Sequence, residues 1–167
     1  LYSVPGTVSG QLALHPDETF AYAAEVGNDL IRVIDLTAHA AVDTIAVGNR
    51  PGKMAITPDG RWLYVANIGD ISVVDLTRNA EVLRLEVDGV LNAMVIDPTG
   101  SSAYYSIVDR ATVGVLDIGT NVTVGEIQLE GMDVNDMQIS PDGNLLYVNT
   151  THGLVELDVA RNLVVRT

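Results

Sequence analysis

The segment Ile56-Thr-Pro-Asp-Gly-Arg-Trp-Leu-Tyr64 decides the fold, because similar segments occur three more times along the chain. In every copy a Pro is followed six residues later by a Tyr, and the prolines are residues 16, 58, 98 and 141. The copies are therefore 42, 40 and 43 residues apart. A spacing of about 40 to 45 residues is typical of proteins built from one repeated supersecondary unit.

Each repeat reads as four short strands. Around the quoted copy, residues 53–57, 62–66 and 71–75 are almost continuously apolar, whereas 81–87 alternates apolar and polar residues. The Pro58-Asp59-Gly60 triplet between the first two runs is a turn signal. Continuous apolar strands indicate a sheet that is buried on both faces, so each unit needs like units stacked against it. The sequence therefore predicts an all-β protein, a β-propeller with four blades of four antiparallel strands in this chain.

We expect the blades to cover residues 8–47, 48–87, 88–130 and 131–167, with 1–7 completing an outer strand. Four blades in an open arc would expose two large apolar faces, which a soluble monomer rarely does. Three arrangements would cover them: a closed four-bladed ring, a homodimer that closes an eight-bladed ring, or a longer protein of which this chain is a part. A protein partner or a second half of the propeller is therefore expected.

Three motifs give the repeat a family resemblance: Leu63-Tyr-Val-Ala-Asn67, Leu146-Tyr-Val-Asn-Thr150 and Ser72-Val-Val-Asp-Leu76. They resemble the YVTN family of β-propeller repeats, whereas the copies at Tyr22 and Tyr104 depart from the motif. The resemblance implies a seven- or eight-bladed ring and an extracellular, cell-surface or periplasmic location. Similar propellers occur in lactonases and in the heavy subunits of periplasmic quinoprotein dehydrogenases.

Composition excludes several classes of protein. Hydrophobic residues make up 47% of the 167, which is incompatible with intrinsic disorder. No apolar run approaches the roughly 18 residues of a membrane helix. The chain has 22 Asp and Glu against 9 Lys and Arg, a net charge of −13 that repels nucleic acid and anionic lipid. With no Cys, disulfides and thiolate chemistry are absent.

Propeller topology separates structural polar residues from candidate site residues. The connections from the fourth strand of one blade to the first strand of the next lie on one face, and we expect them at residues 48–53, 88–92 and 131–136. The loops between second and third strands lie on the same face, and we expect them at 26–29, 68–70, 108–111 and 151–153. Seven aspartates recur at fixed positions, in the Pro-Asp turns or at the ends of third strands, and we interpret them as structural: Asp17, Asp35, Asp59, Asp75, Asp117, Asp142 and Asp158.

The remaining charged residues of the loop face are the candidates for ligand binding. Arg50 and Lys53 form a cationic pair suited to a carboxylate or phosphate, with a solvated loop as the alternative. Oxygen ligands for Ca²⁺ or Mg²⁺ are offered by Asp133, Asn135 and Asp136, with Asp70 and Asp109 across the channel. Because no calcium-loop spacing is present, ordinary turn carboxylates are the alternative there. His152 is the one histidine expected on this face.

No Gly-x-Ser-x-Gly elbow or other catalytic arrangement occurs in the sequence, and we assign no catalytic residue and no cofactor. The sequence predicts a non-catalytic, extracytoplasmic interaction or scaffold module. The alternative is the propeller portion of an enzyme, such as a lactonase or a quinoprotein dehydrogenase subunit.

Overall fold

Fifteen β-strands and no helix make up the part of the chain that the computed structural model describes, residues 10–108 and 110–166. The predicted all-β class is confirmed. None of these residues forms a helix long and apolar enough to cross a bilayer. The expected outer strand at 1–7 and the candidate Asp109 lie outside the described residues.

The strands fall into two compact units, divided between Asp88 and Gly89. In unit 1 the first sheet is antiparallel and consists of β1 (Leu12–Leu14), β2 (Phe20–Glu25), β3 (Leu30–Asp35) and β4 (Ala40–Ala46). The second sheet consists of β5 (Met54–Ile56), β6 (Trp62–Ala66), β7 (Ile68–Asp75) and the part of β8 (Ala80–Ile96) up to Asp88.

In unit 2 the third sheet consists of β8 from Gly89 onward, β9 (Ser102–Ile107), β10 (Thr112–Asp117) and β11 (Val122–Gln128). The fourth sheet consists of β12 (Val134–Ile139), β13 (Leu145–Thr150), β14 (Gly153–Asp158) and β15 (Leu163–Arg166). In every sheet the strands are ordered as in the sequence, which is the order of a propeller blade.

Several sequence-predicted loops are strands in the structure. We expected a loop at 88–92, but β8 runs through it because Val108 N–H donates to Val90 O at 2.8 Å and Leu91 pairs with Ile107. The expected loop at 68–70 is instead a tight turn of residues 67–70, since Asn67 N–H donates to Asp70 O at 2.9 Å and β7 already starts at Ile68. Similarly, Asn135 and Asp136 lie in β12 rather than in a loop.

Each unit buries an apolar core between its two sheets, and the two cores follow the same rule. In unit 1, Tyr22 of the first sheet packs in one cluster with Leu63 and Val65 of the second. In unit 2, Tyr104 of the third sheet packs with Leu146 and Val148 of the fourth. Within each unit the Tyr of the first-numbered sheet thus faces the next sheet, and the two sequence neighbours of that next sheet's Tyr face back toward it, because side chains alternate along a strand.

The seven recurring aspartates have the structural role that their spacing predicts. Asp17, Asp59 and Asp142 each accept a backbone N–H from two residues further along the turn. The aspartates at the ends of the third strands likewise accept backbone N–H groups of the turn that follows each strand, from Thr37, Thr77, Thr120 and Arg161. These hydrogen bonds satisfy backbone N–H groups that have no partner on a neighbouring strand once the strand has ended.

Candidate functional site

Three loops of unit 1 are hydrogen-bonded into one surface. Val47 N–H donates to Asp29 O at 3.1 Å, and Ile68 N–H donates to Asn49 O at 2.9 Å. We call Asp29, residues 47–53 and residues 67–70 the loop edge of unit 1. The bonds fix the connection between the first and second sheets against the loops that follow β2 and β6.

Arg50 is held at this edge in an unusual backbone conformation. Its φ is 52°, in the left-handed region that side chains other than Gly, Asn and Asp rarely adopt. The Asp29 carboxylate accepts the Arg50 N–H at 2.8 Å and thereby holds the loop in place. The Arg50 side chain is exposed.

Arg50 is also the one Lys or Arg whose side chain has no partner among the described residues. Four arginines pair with acids close in sequence or across a strand pair, Arg61 lies 4.8 Å over the Trp62 ring, and Arg84 pairs with Glu81 at 2.7 Å. Lys53, the predicted companion of Arg50, is half-buried and has an interaction partner, as does Arg110. Of the two predicted cations, Arg50 is therefore the one with an exposed side chain that has no partner among the described residues.

Asp70 belongs to a buried polar network rather than to an open loop. It is 8% exposed and accepts a hydrogen bond from Asn67 Nδ2 at 2.6 Å. Asn67 Nδ2 also donates to Ser72 Oγ at 2.8 Å, and Ser72 Oγ accepts Gly48 N–H at 2.9 Å. Arg84 Nε lies 4.0 Å from Asp70 Oδ1. The turn at 67–70 therefore buries most of the Asp70 carboxylate, which the sequence analysis placed in an open loop, and the role of Asp70 as a ligand stays a prediction.

Sequence reasoning missed a buried ion pair in the first sheet. Glu25, at the end of β2, is 1% exposed, accepts Arg32 Nε, and accepts Asn28 Nδ2 at 2.8 Å. The Arg32 bond, with help from Asn28, lowers the pKa of Glu25 although burial opposes the shift. The sequence contains a signal for this polar site. Glu25 follows Tyr22 by three residues, as Asn67 follows Tyr64, so both repeats have a polar residue at the same position.

The unit 2 candidates lie on exposed backbone. Thr151 N–H donates to Asp133 O at 2.9 Å, which places His152 beside the Asp133 segment. The β12–β13 register shifts between Val134 and Asp136, so Asn135 is the extra residue of a β-bulge. The side chains of Asp133, Asn135, Asp136 and His152 are all exposed.

No three His, Asp or Glu side chains within residues 10–108 and 110–166 are arranged to hold a metal ion. The expected ligand set of Asp133, Asn135 and Asp136 has only two carboxylates beside one amide, and it stays a prediction. The calcium or magnesium interpretation also invoked Asp109, whose position is not described.

Comparison with known proteins connects this geometry to a family. The family model described as lactonase, 7-bladed beta-propeller, matches residues 3–90, which is just over half of the chain. The chain belongs to this lactonase family. The propeller fold predicted from the sequence is thereby confirmed. The loop edge of unit 1 lies within the matched segment.

Two curated relatives are similar to this member of the lactonase family. The uncharacterised protein YwhL of Bacillus subtilis (strain 168) is 27% identical over 157 residues, covering 91% of this chain and 33% of YwhL. The seven-bladed beta-propeller protein Rv1057 of Mycobacterium tuberculosis is 35% identical over 123 residues, covering 68% of this chain and 31% of Rv1057. The chain spans about a third of the length of these relatives.

Solved structures show the same fold. A chain of hydrazine synthase from Kuenenia stuttgartiensis superposes with a TM-score of 0.87 at 26% identity, covering 93% of this chain and 47% of that one. The β-propeller domain of Cps50 (Swd1) from Myceliophteria thermophila superposes with a TM-score of 0.84 at 13% identity, over 96% of this chain and 56% of that one. The second likeness concerns the fold alone.

Proposed function

We propose that the loop edge of unit 1 binds a carboxylate or phosphate group through Arg50, as part of a propeller that acts as an interaction module. The observation that carries the proposal is the free, exposed guanidinium of Arg50 in a protein with 22 acidic and 9 basic residues. A guanidinium offers a planar pair of donors that matches the two oxygens of a carboxylate or phosphate.

The backbone at Arg50 supports this proposal. The Asp29 carboxylate, on the neighbouring loop, accepts the Arg50 N–H at 2.8 Å and holds the backbone of the loop at that residue. The loop therefore presents the Arg50 side chain from a fixed backbone, which reduces the entropy lost when a ligand binds.

Titration with inorganic phosphate and with succinate, followed by the chemical shifts of loop-edge amides, tests the proposal. We expect saturable shifts at residues 48–53 that disappear in Arg50→Ala. Arg161→Ala is the matched control, since Arg161 is also exposed but pairs with Asp158 at 3.4 Å. Equal loss of binding in both variants, or no saturable shift in the wild type, would contradict the proposal.

The lactonase family membership favours a second candidate function, lactone hydrolysis. Water opens a lactone ring to a hydroxy acid, and the carboxylate of that product is an anion of the kind that Arg50 can bind. A pH-stat assay of proton release from an aldonolactone separates the two functions. An interaction module leaves the rate at its uncatalysed value, whereas a lactonase increases it. A quinoprotein dehydrogenase subunit is the remaining enzymatic alternative from the sequence resemblance.

The same proposal includes four YVTN-type repeats, an extracytoplasmic location and the closure of the ring. The YVTN-like motifs support the location, and fractionation of the source cells tests it. The mass in solution tests closure, since one chain is 17.8 kDa and an eight-bladed homodimer has twice that mass.

A further inference from the structure

A cavity of about 310 Å³ opens between the two sheets of unit 1. Its walls include the turn between β1 and β2 in the first sheet and the turn between β7 and β8 in the second. We call it the turn cavity, and its lining includes His15, Asp17, Phe20, Val33, Leu76 and Asn79.

The turn cavity is separate from the loop edge that carries Arg50. The strand β2 begins at the cavity with Phe20 and ends beside the loop edge with Glu25. A strand of this length spans about 17–20 Å, which is too far for one small molecule to touch both places. A ligand of the turn cavity is therefore a second ligand, beyond the anion proposed for Arg50.

Part of the lining is apolar and aromatic. Phe20 and Leu76 are half-buried, whereas Val33 and Tyr22 are buried. Such a surface binds the apolar part of a small molecule by removing it from water. The two aromatic rings also attract a cation, because the face of an aromatic ring carries partial negative charge.

Asp17 supplies a fixed carboxylate oxygen to the cavity. Its Oδ1 accepts the Thr19 N–H at 2.9 Å and the Thr19 hydroxyl at 2.6 Å, and His15 Nδ1 lies 2.6 Å from the same atom. These three contacts hold the carboxylate in place, while Oδ2 accepts no hydrogen bond from the described residues. The other ring nitrogen of His15, Nε2, lies 3.0 Å from Gly60 O, so the imidazole is occupied on both sides.

Asn79 supplies a second acceptor from the facing turn. Its Nδ2 donates to Asp43 Oδ2 at 3.1 Å. A carboxylate can only accept, so this contact fixes the orientation of the amide and leaves Oδ1 as the atom that accepts from a ligand. None of the described residues that line the cavity is Lys or Arg. The polar part of the cavity is therefore acceptor-rich and bordered by two carboxylates.

The fold does not require this combination of groups. Counted from the Pro of each copy, Thr99 stands in the place of Asp17 and Ser102 in the place of Phe20. The carboxylate of that turn, Asp97, is 6% exposed and accepts hydrogen bonds from residues 99–102 of its own turn. A repeat can thus build the turn without an aromatic ring and an available carboxylate oxygen at these two positions.

We propose that the turn cavity binds a small organic ammonium, with its apolar body against Phe20 and Leu76 and its N–H groups directed at Asp17 Oδ2 and Asn79 Oδ1. An ammonium group has three donors and no acceptor, which matches the acceptors of the cavity. The ligand is small, because the cavity volume lies at the lower end of the range of about 300–1,000 Å³ for small-molecule sites. The net charge of −13 favours a cation as well.

Titration with benzylamine, followed by the amide chemical shifts of residues 17–20 and 76–79, tests the proposal. We expect saturable shifts and a Kd about tenfold lower than that of benzyl alcohol, which has nearly the same shape and no charge. Benzoate, the matched anion, should not shift these amides. Equal Kd values for benzylamine and benzyl alcohol overturn the proposal. Tighter binding of N-acetyl-lysine methylamide than of benzylamine also overturns it, because the ligand is then a protein side chain.

The variant Asp17→Asn should raise the Kd of benzylamine about tenfold, since it keeps an oxygen for the Thr19 bonds and removes the charge. Asp142→Asn is the matched control, because it makes the same change in net charge at the equivalent turn of the fourth sheet. It should leave the Kd unchanged, as should Arg50→Ala. Equal Kd values in Asp17→Asn and Asp142→Asn overturn the proposal.

A second variant covers the case in which Asp17→Asn does not fold. The φ of Asn79 is 49°, which glycine adopts readily, so Asn79→Gly removes the amide and keeps the turn. We expect it to raise the Kd of benzylamine severalfold, because one of the two acceptors is lost. An unchanged Kd in Asn79→Gly would contradict the proposed site.

Discussion

Glu25 and Arg32 form an ion pair at the positions that Asn67 and Ser72 occupy one repeat later. Glu25 and Asn67 each follow the repeated Tyr by three residues, and Arg32 and Ser72 each precede the strand-end Asp by three. Arg32 Nε donates to Glu25 Oε1, and Asn67 Nδ2 donates to Ser72 Oγ at 2.8 Å. An ion pair in the first sheet and a neutral hydrogen-bonded pair in the second sheet therefore occupy equivalent positions of the repeat.

Removing one member of the charged pair should be costly. We expect Arg32→Ala to lower the free energy of unfolding by about 3–5 kcal/mol, because it leaves the Glu25 carboxylate buried without its main donor. Urea denaturation measures the change. The double variant Glu25→Asn/Arg32→Ser, which installs the neutral pair of the next repeat, should recover most of this loss. A double variant no more stable than Arg32→Ala would show that the two pairs are not interchangeable.

Glu18 is strained where the other repeats have Gly. Its φ is 60°, and the same turn position is Gly60, Gly100 and Gly143 with φ between 73° and 74°. We expect Glu18→Gly to stabilise the protein by up to about 1 kcal/mol, because glycine tolerates the left-handed region. The reverse change, Gly143→Ala, should destabilise it by a similar amount. Thermal denaturation of both variants checks the prediction, and a lower Tm for Glu18→Gly would contradict it.

Gly48 should tolerate no side chain. A Cβ at Gly48 would overlap Asp70 Oδ1 and Asn67 Nδ2, both members of the buried network of the loop edge. We expect Gly48→Ala to cost about 1–3 kcal/mol by displacing that network. Gly27→Ala is the matched control, since a Cβ at Gly27 would meet nothing within 4 Å beyond its chain neighbours and should change stability little. Equal effects in chemical denaturation would mean that the network can move aside.

The turn aspartates should make stability depend on acid pH. Hydrogen bonds from Thr19, its hydroxyl first and then its N–H, lower the pKa of Asp17 from 3.8 to about 2. A carboxyl group whose pKa is lowered by folding stabilises the folded state above its unfolded pKa. That contribution is lost as the pH falls through the folded pKa. Thr19→Val should raise the pKa of Asp17 toward 3.8, which carboxyl NMR titration measures. An unchanged pKa would show that the hydroxyl is not the main cause.

The sequence by itself determined the repeat, the all-β fold and the role of the recurring aspartates. Those features depend on local signals: a Pro-Asp-Gly turn, apolar runs of strand length, and an Asp that caps the next backbone N–H groups. Local signals also misled, as at 88–92, where Gly and Asp indicated a loop and pairing with β9 kept the backbone extended.

Only the tertiary structure decided which polar residues are available. Arg50 and Lys53 are both cations of one loop in the sequence. In the structure the Arg50 guanidinium has no partner among the described residues, whereas Lys53 has one. Asp70 looks like a loop ligand, yet a turn buries it, and Glu25 finds its counter-ion on the adjacent strand. Such contacts depend on strand register and on loops brought together from distant parts of the chain. A hydrophobic pattern specifies the register of a strand, but it does not determine which residue pairs with each charged side chain.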